Sequence, residues 1–359
     1  MLAATSVLER SWWRSRPDAL ARLLQPLSWV YRLLVWIHRG VGRRQAAVSV
    51  RPAGSPPVVV VGNWIVGGAG KTPTTLAVLA HLRSRGWTPG VISRGHGARA
   101  DHPRLVDPQR ATASDVGDEP LLIARRAQVP VCVGRDRCRA RDLLLRDHPE
   151  VDIVVADDGL QHHRLHRDLE VIVVDERGAG NGLCLPAGPL RQPLPTAVPL
   201  SALVLYPGGK ASLPHVGHLA NRVLEGVVSL QEWQSGSQPA SDGGWHALQG
   251  RLVHAVAGVA APGRFFEQLR RLGMEVHGSA LPDHDPMHTC PWPQDARDVV
   301  MTEKDAVKAA RWDDGQTRLW VARLDLVPHD SFWHEFDRRL EALDSRLHNT
   351  STPHGSTPS

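Results

Sequence analysis

The sequence predicts an α/β protein built on a parallel sheet flanked by helices, and three observations lead to this fold class. Short, nearly continuous Val/Ile-rich runs alternate with helical stretches, a glycine-rich turn follows the first run, and two consecutive aspartates follow another. Such runs are typical of strands buried on both faces of a parallel sheet. Their alternation with helices is typical of βαβ units.

The predicted strands and helices divide the chain into two α/β units. The first unit contains the predicted strands 58–61, 90–93, 129–133, 151–156 and 171–174, with helices at 74–85 and 137–147. The second contains strands at 254–259, 299–302 and 319–322, with helices at 264–272 and 331–343. A Ser/Gly/Gln/Pro-rich segment at 232–244 is predicted to be a loop. We therefore expect an N-terminal region 1–45, a large domain 46–207, a smaller α/β domain 208–345, and a disordered tail 346–359.

Composition indicates a soluble, reduced protein. The chain has 359 residues, of which 42% are hydrophobic and 22% charged, enough for a sizeable core. The four cysteines lack CxxC spacing, so we expect neither a disulfide framework nor a zinc knuckle. His162 with His166, or His284 with His288, has helical spacing for metal ligation, but each pair lacks a further ligand.

Basic charge is concentrated in the first 50 residues. Eight arginines against two acids give this segment +6, although the whole chain carries only +5. A nucleic-acid-binding protein would spread or stripe its charge over the fold, so we expect no nucleic-acid partner. Apolar residues recur at helical spacing in the same segment, namely Leu20, Leu23, Leu24, Leu27, Tyr31, Leu34 and Val35, with Trp29, Trp36 and Ile37 nearby.

This N-terminal pattern favours a helix that lies on a membrane surface. Arg22 and Arg32 interrupt it, so no stretch of about 18 apolar residues is available to span a bilayer. No small-residue cleavage site follows, which argues against a signal peptide. Tryptophan and leucine would enter the acyl boundary while arginine meets anionic headgroups. An ordinary amphipathic helix packed on the core is the alternative.

The strongest functional motif is the stretch 58–73, VVVVGNWIVGGAGKTP. A predicted strand, a glycine-rich turn, Lys-Thr and a helix follow one another as in P-loop NTPases, so we expect a P-loop NTPase-type sheet. Lys71 would contact the β- and γ-phosphates of ATP, and the Thr72 hydroxyl would bind Mg²⁺. Ile65 replaces the first glycine of the strict pattern, so the match is to the variant GGxGKT. The predicted phosphate-binding residues are Gly67, Gly68, Ala69, Gly70, Lys71, Thr72 and Pro73.

Two acidic motifs accompany the loop. Asp157 and Asp158 follow a buried strand, at the sheet edge where α/β proteins bind ligands, and they are predicted to hold Mg²⁺. Asp118 and Glu119 open a predicted helix, where acids also complement the helix dipole without any catalytic role.

Taken in this order, the motifs resemble the tetraacyldisaccharide 4′-kinase family of lipid A biosynthesis. DDGLQH, LPAGPLR and MTEKDAVK are specific to the resemblance, whereas GGxGKT is shared with other P-loop ATPases. The resemblance covers roughly residues 15–325, and its matching stretches are 57–73, 91–97, 117–120, 157–162, 181–193, 283–284 and 300–308, with 26–31 similar to the family's N-terminal anchor.

The resemblance implies transfer of the γ-phosphate of ATP, with Mg²⁺, to the 4′-hydroxyl of an acylated glucosamine disaccharide 1-phosphate, forming lipid IVA. It implies a large P-loop domain, a smaller C-terminal domain and a short β linker, at the cytoplasmic face of the bacterial inner membrane, with no obligate protein partner. Asp118 with His284 would activate the sugar hydroxyl, with Lys71 also catalytic. Residues implied to line or support the site are Arg94, Glu119, Arg135, Gln161 and Arg191.

Two positions depart from the family pattern. His96 stands where the family often has tyrosine, and Asp285 follows His284 at a variable position. A ParA-like ATPase switch that binds a partner or a membrane is the alternative function, since it shares the GGxGKT loop. Val66 occupies the place of the lysine typical of that loop type, and LPAGPLR and MTEKDAVK would then have no explanation.

Overall fold

A mixed sheet of twelve hydrogen-bonded strands organises the described part of the chain, in the order β10-β9-β11-β12-β8-β7-β6-β1-β5-β2-β4-β3. The structure is a computed structural model, and it describes residues 2–48, 54–98, 102–240, 243–283 and 285–349. The strands are β1 Val58–Gly62, β2 Pro89–Ser93, β3 Arg104–Leu105, β4 Val131–Val133, β5 Ile153–Asp157, β6 Leu169–Val173, β7 Ala202–Tyr206, β8 His218–Ser229, β9 Leu252–Ala257, β10 Glu275–Ala280, β11 Asp298–Thr302 and β12 Arg318–Pro328.

Helices flank this sheet, which confirms the predicted α/β class with a mostly parallel sheet. They are α1 Leu2–Trp12, α2 Ala19–Val48, α3 Lys71–Ser84, α4 Ala113–Val116, α5 Asp118–Ala127, α6 Arg137–Asp147, α7 Leu230–Gln234, α8 Pro262–Arg271, α9 Glu303–Ala309 and α10 Asp330–Asn349, with 3₁₀ turns at Trp245–Ala247 and Ala310–Trp312.

The central strand β1 shows why the Val-rich runs form a doubly covered sheet. Successive side chains of a strand point to opposite faces. Val59 and Val61 pack in one core with α3, whereas Val58 and Val60 pack in a second core with α6. All four valines are at most 2% exposed. Because both faces of the strand are buried, its sequence is continuously apolar and does not alternate between apolar and polar residues as a half-exposed strand would.

Parallel pairing brings the functional loops to one edge of the sheet. β1 pairs with β5 on one side and β6 on the other, with Val61 opposite Asp157 in the register. The glycine-rich turn after β1 and the aspartates after β5 consequently leave the sheet side by side. Gly62 permits this arrangement, because a Cβ there would lie 2.5 Å from the Cβ of Leu160 in the neighbouring loop.

The C-terminal part of the chain (β8–β12) continues the same sheet as the P-loop part (β1–β7). β8 pairs in parallel with β7 through Leu205 and His218, and antiparallel with β12 over most of its length. The predicted boundary at residue 207 falls between β7 and β8, within hydrogen-bonded sheet, and the division into two domains stays a prediction.

The N-terminal segment forms the helices α1 and α2. Within the part of the chain that the structure describes, no helix is both long and apolar enough to cross a membrane. The apolar pattern of α2 is divided between two faces. Ala21 and Ser28 are buried against the protein. In contrast, the side chains of Leu23, Leu27 and Leu34 are 76%, 57% and 59% exposed.

Two predicted irregular segments contain helix. The segment predicted as a loop at 232–244 begins inside α7, which starts with a capping box formed by Ser229 and Glu232. Helix α10 extends to Asn349 and thus includes residues 346–349, the first four residues of the predicted tail. The rest of that tail, residues 350–359, lies outside the described residues.

Candidate active site at the P-loop

The P-loop turns sharply between β1 and α3 because two of its glycines adopt left-handed backbone. Gly67 has φ 93° and Gly70 has φ 95°, values that side-chain-bearing residues rarely adopt. Gly70 caps α3, which begins at Lys71, so the unpaired N–H groups of the helix start lie at the mouth of the loop. Such an arrangement is typical of sites that bind phosphates and other anions.

Asp157 ends β5 beneath this loop and is 1% exposed. Its Oδ1 accepts a 2.8 Å hydrogen bond from Thr75 Oγ1 of α3, and its Oδ2 lies 3.4 Å from the donor Ser93 Oγ. Burial raises the pKa of Asp157 above the usual aspartate value, and the nearby carboxylates Glu119 and Asp158 raise it further.

The Asp158 carboxylate contacts two cationic side chains, one from the P-loop and one from a distant segment. Lys71 Nζ lies 3.8 Å from Asp158 Oδ1, and Arg191 Nη1 donates to the same oxygen at 2.8 Å. Burial opposes ionisation of Asp158, but Lys71 and Arg191 outweigh it and hold its pKa below the usual value. Arg191 also donates to Gln161 Oε1 at 3.1 Å. Asp158, Lys71, Gln161 and Arg191 therefore form one polar cluster.

Carboxylate and hydroxyl oxygens beside the P-loop fit Mg²⁺. Thr72, Asp157 and Asp158 are hard oxygen donors close to the phosphate-binding loop, the set that a nucleotide-bound Mg²⁺ prefers. Within the described residues no group of three or more His, Cys, Asp or Glu side chains is arranged to hold a metal ion by itself. Mg²⁺ commonly needs only one or two carboxylates plus substrate phosphates.

The P-loop opens into a cleft of about 1030 Å³ between the P-loop part and the C-terminal part. A volume of this size accommodates a nucleotide together with part of a second substrate. Arg94, Glu119, Asp158 and Arg191 line it, with the whole stretch 67–73. From the C-terminal part, Arg222, Arg264, Asp283 and Lys304 line the opposite wall.

Asp118 begins α5 directly before the cleft-lining Glu119 and is 7% exposed, but it is not itself among the cleft-lining residues. Its Oδ1 accepts a hydrogen bond from the backbone N–H of Glu119 at 3.0 Å. Its predicted partner His284 lies outside the described residues. The preceding residue Asp283 lies at the cleft, where its Oδ1 accepts a 2.7 Å bond from Lys304 Nζ. The Lys304 ammonium is also 3.6 Å from Glu119 Oε1.

Arg135 is the predicted site residue that the structure keeps apart from the others. It is exposed, follows β4, and is not among the cleft-lining residues. Its backbone carbonyl lies 3.4 Å from Arg137 Nη1. The structure thus brings together Lys71, Asp157, Asp158, Gln161 and Arg191. It places Arg94 and Glu119 on the same cleft, whereas Arg135 is not among the cleft-lining residues.

The sequence did not single out several residues that the structure places here. Thr75 and Ser93 contact Asp157, and Arg222 Nη2 donates to the carbonyl of Ala69 in the P-loop at 3.3 Å. Thr75 lies one turn into the helix after Lys71, so a helical projection of the motif would have found it. Ser93, Arg222 and Lys304 come from distant segments, and nothing in the sequence around them indicates that they lie at this site.

Helix α2 supports the loop that delivers Arg191. Tyr31 donates through its hydroxyl to the backbone carbonyl of Arg191 at 3.0 Å, and Ser28 Oγ donates to the carbonyl of Cys184 at 2.8 Å. The same loop is bonded to the P-loop, since the N–H of Val66 donates to the carbonyl of Pro189 at 2.9 Å. The N-terminal helix is thereby connected to the P-loop through this segment.

Comparisons with known proteins agree on one family. A family model described as tetraacyldisaccharide-1-P 4′-kinase matches residues 20–341. A tetraacyldisaccharide 4′-kinase of Methylibium petroleiphilum is 49% identical over 344 residues, 94% of this chain and 94% of that one. One of Leptothrix cholodnii is 48% identical over 343 residues, 94% of this chain and 96% of that one.

The fold is also found in a solved structure. The "apo" form of LpxK from Aquifex aeolicus in complex with ATP matches with a TM-score of 0.70 and 22% sequence identity, covering 91% of this chain and 99% of that chain. At that identity the match concerns the fold, and the family assignment comes from the sequence matches. Because these extend over nearly the whole chain, the protein belongs to the tetraacyldisaccharide-1-P 4′-kinase family.

Proposed function

We infer that this chain is an ATP-dependent kinase that phosphorylates the 4′-hydroxyl of a tetraacyldisaccharide 1-phosphate, a lipid A precursor, and forms lipid IVA. The observation that carries this function is the similarity, at 48–49% identity over 94% of the chain, to proteins named for this activity. The P-loop facing a cleft of about 1030 Å³ supplies a compatible site.

The P-loop residues account for binding of the nucleotide. The N-terminus of α3 and the glycine-rich turn offer N–H groups to the phosphates, and Lys71 adds a fixed positive charge beside them. Thr72, Asp157 and Asp158 are the proposed holders of Mg²⁺, which when bound neutralises charge on the phosphates. Arg191 keeps the Asp158 carboxylate oriented toward the loop through its 2.8 Å hydrogen bond.

We propose Asp118 with His284 as the pair that accepts the proton of the sugar hydroxyl. A sugar hydroxyl is a weak nucleophile at neutral pH and gains from a positioned acceptor. Asp118 is nearly buried and lies directly before Glu119, which lines the cleft. The proximity of Asp283 to Glu119, both in contact with Lys304, supports an approach of the two predicted partners.

We also propose that α2 holds the enzyme on the cytoplasmic face of the inner membrane. Its outward face carries Leu23, Leu27, Val30, Leu34, Ile37 and Val41, all 46–76% exposed and spaced alternately four and three residues apart. This spacing gives one continuous apolar stripe on a helix. Arginines along the same helix suit an anionic surface. The acyl chains of the substrate would then stay in the bilayer while its sugar enters the cleft.

Acceptor dependence of ATP turnover tests the proposed reaction against the ATPase-switch alternative. ADP formation by the purified enzyme with Mg²⁺ is expected to require the tetraacyldisaccharide 1-phosphate. ATP hydrolysis that proceeds at the same rate with vesicles or detergent alone, and leaves the disaccharide unmodified, would favour the switch.

A further inference from the structure

The proposed function assigns no catalytic or binding role to the segment Met301–Lys308, MTEKDAVK. It contains two of only four lysines in a chain with 42 basic residues, so arginine serves at nearly every other basic position. Lys210 is exposed, whereas the side chains of Lys71, Lys304 and Lys308 are 9%, 16% and 6% exposed. The chain thus keeps its other lysines at enclosed positions, where a compact ammonium differs most from a guanidinium.

Lys304 lies in the first turn of α9, on the cleft wall opposite the P-loop. Its Nζ donates to Asp283 Oδ1 at 2.7 Å and lies 3.6 Å from Glu119 Oε1. Burial lowers the pKa of Lys304, but the carboxylates of Glu119, Asp283 and Asp118 outweigh burial and raise it. The side chain is therefore a charged ammonium with carboxylate partners on both sides of the cleft.

The rest of α9 is fixed by contacts that do not involve Lys304. Glu303 forms a buried ion pair with Arg126 of α5, and it accepts a 3.1 Å bond from Trp233 Nε1. Asp305 accepts a 2.9 Å bond from the N–H of Gly258, and Lys308 Nζ donates to the carbonyl of Asp285 at 2.7 Å. Loss of the Lys304 charge should consequently leave α9 in place.

The ammonium separates carboxylates that would otherwise repel one another. Glu119 comes from the start of α5, directly after Asp118, and Asp283 comes from the turn after β10. Without a cation between them, like charges disfavour a close approach of these two segments. The carboxylate contacts of Lys304 on both sides favour a bridging role over binding of a phosphate.

We propose that Lys304 is a positioning residue, whose ammonium joins the start of α5 to the Asp283 turn and thereby sets the geometry of Asp118 at the acceptor hydroxyl. This inference rests on the proposed function, since it concerns the same reaction. It assigns Lys304 to the chemical step rather than to ATP binding.

Substitution of Lys304 by methionine, which keeps length and removes charge, tests the assignment. We expect kcat to fall about 10- to 100-fold, within the range of misplaced catalytic groups, while the KM for ATP changes less than about twofold. Lys304→Arg keeps the charge and should retain more of kcat than Lys304→Met. Lys210→Met, at an exposed position, is the matched control and should behave like wild type.

Two outcomes for the single variant would overturn the role of Lys304. One is unchanged kcat in Lys304→Met, and the other is an increase in the KM for ATP at constant kcat, which would make Lys304 a nucleotide-binding residue. Adding Asp283→Asn to Lys304→Met should cause little further loss, because residues that act as a unit are non-additive. Multiplicative losses would also contradict the proposal.

A double-mutant cycle that measures thermal stability tests the inference without an activity assay. The shifts in Tm of Lys304→Met and Glu119→Gln should be non-additive, since the two side chains interact directly. Additive shifts would refute the bridge. Wild-type enzyme that never phosphorylates the disaccharide would refute the proposed function instead, and the stability cycle would still decide whether Lys304 joins the two segments.

Discussion

The enclosed charged side chains at this site are each stabilised by contacts with side chains of opposite charge. Asp158 stays ionised although it is enclosed, because Lys71 and Arg191 both contact it. Lys304 stays charged for the converse reason, since carboxylates surround it. Removing one member of such a cluster leaves its partner without compensation, so we expect large effects from single substitutions.

The proposed base gives the sharpest test at the residue scale. Asp118→Asn and His284→Ala should each lower kcat by about 10²- to 10⁴-fold, as expected when a general base is lost. The affinity for ATP should change little, because neither residue belongs to the P-loop. The double variant should be scarcely worse than the poorer single variant. Steady-state kinetics and ATP titrations measure these quantities.

Two results would contradict the coupled pair. Fully multiplicative losses in the double variant would mean that Asp118 and His284 act independently. A loss confined to ATP binding would place Asp118 among the nucleotide or metal contacts. Thr72→Ser, which keeps a hydroxyl at the proposed metal, provides a comparison in which the base is intact.

Sequence reasoning found the residues whose positions follow from local pattern. Lys71 and Thr72 follow a strand and a glycine turn, and Asp157 ends a Val-rich run, so their common sheet edge was predictable. Ser93 lies 64 residues from its partner Asp157, and Lys304 more than 180 residues from Glu119, so only the folded chain brings them together. The shared sheet edge of the two motifs was therefore predictable, whereas individual contacts with distant segments were not.

At the scale of elements, buried strands with continuous Val/Ile-rich runs are the easier ones to predict, although β7, which is also buried throughout, was not predicted. Strands β1, β2 and β5 are buried throughout and were predicted within one or two residues of their observed ends. Strand β10 was missed because it lies at the sheet edge with a largely exposed pattern. The long strand β8 was missed for a similar reason, since exposed and buried residues mix along it.

Helix α2 has two different faces, and we propose a separate role for each. Its buried face supports the loop of Arg191 through Tyr31 and Ser28, whereas its outward face is an unpaired apolar stripe. Deletion of residues 1–40 should release the protein from membranes, but it would also remove this support. Substitutions on the outward face separate the two functions.

The double substitution Leu27→Asp and Leu34→Asp should weaken binding to anionic vesicles more than tenfold. Burying one leucine contributes about 1.5–3 kcal/mol, and about 1.4 kcal/mol corresponds to a factor of ten. Both side chains are more than half exposed, so the fold should be retained. Vesicle co-sedimentation provides the measurement, with Leu200→Asp as control at a 95% exposed leucine outside α2. Equal binding by both variants would locate the membrane contact elsewhere.

At the scale of the whole molecule, the two parts are joined both by sheet and by a buried ion network. Arg126 of α5 contacts Glu303 of α9 and Asp325 of β12, and it donates to the carbonyl of Leu324 at 3.1 Å. The continuity of the sheet depends on pairing of β8 with β7 and β12. Sequence pattern predicted two α/β units, but such long-range pairing cannot be read from it.

Arg126→Met should destabilise the protein by about 3–5 kcal/mol, because it leaves a buried carboxylate without its partner. The side chains of Arg126 and Glu303 are only 7% and 6% exposed. Arg146→Met is the matched control, since Arg146 is 72% exposed in its ion pair with Asp147 and such pairs contribute little. Urea unfolding gives both free energies of unfolding. Similar values for the two variants would show that the network does not join the two parts.

The most direct test follows the γ-phosphate itself. The enzyme is incubated with Mg²⁺, γ-labelled ATP and the tetraacyldisaccharide 1-phosphate, and the lipid and water phases are then separated. We expect label in the lipid, as a new phosphomonoester at the 4′ position, with one ADP formed per label transferred. Lys71→Ala should reduce this transfer by at least about 10²- to 10³-fold, because the phosphates lose their fixed cation. Label released only as inorganic phosphate, or transfer undiminished in Lys71→Ala, would contradict the proposed reaction at this P-loop.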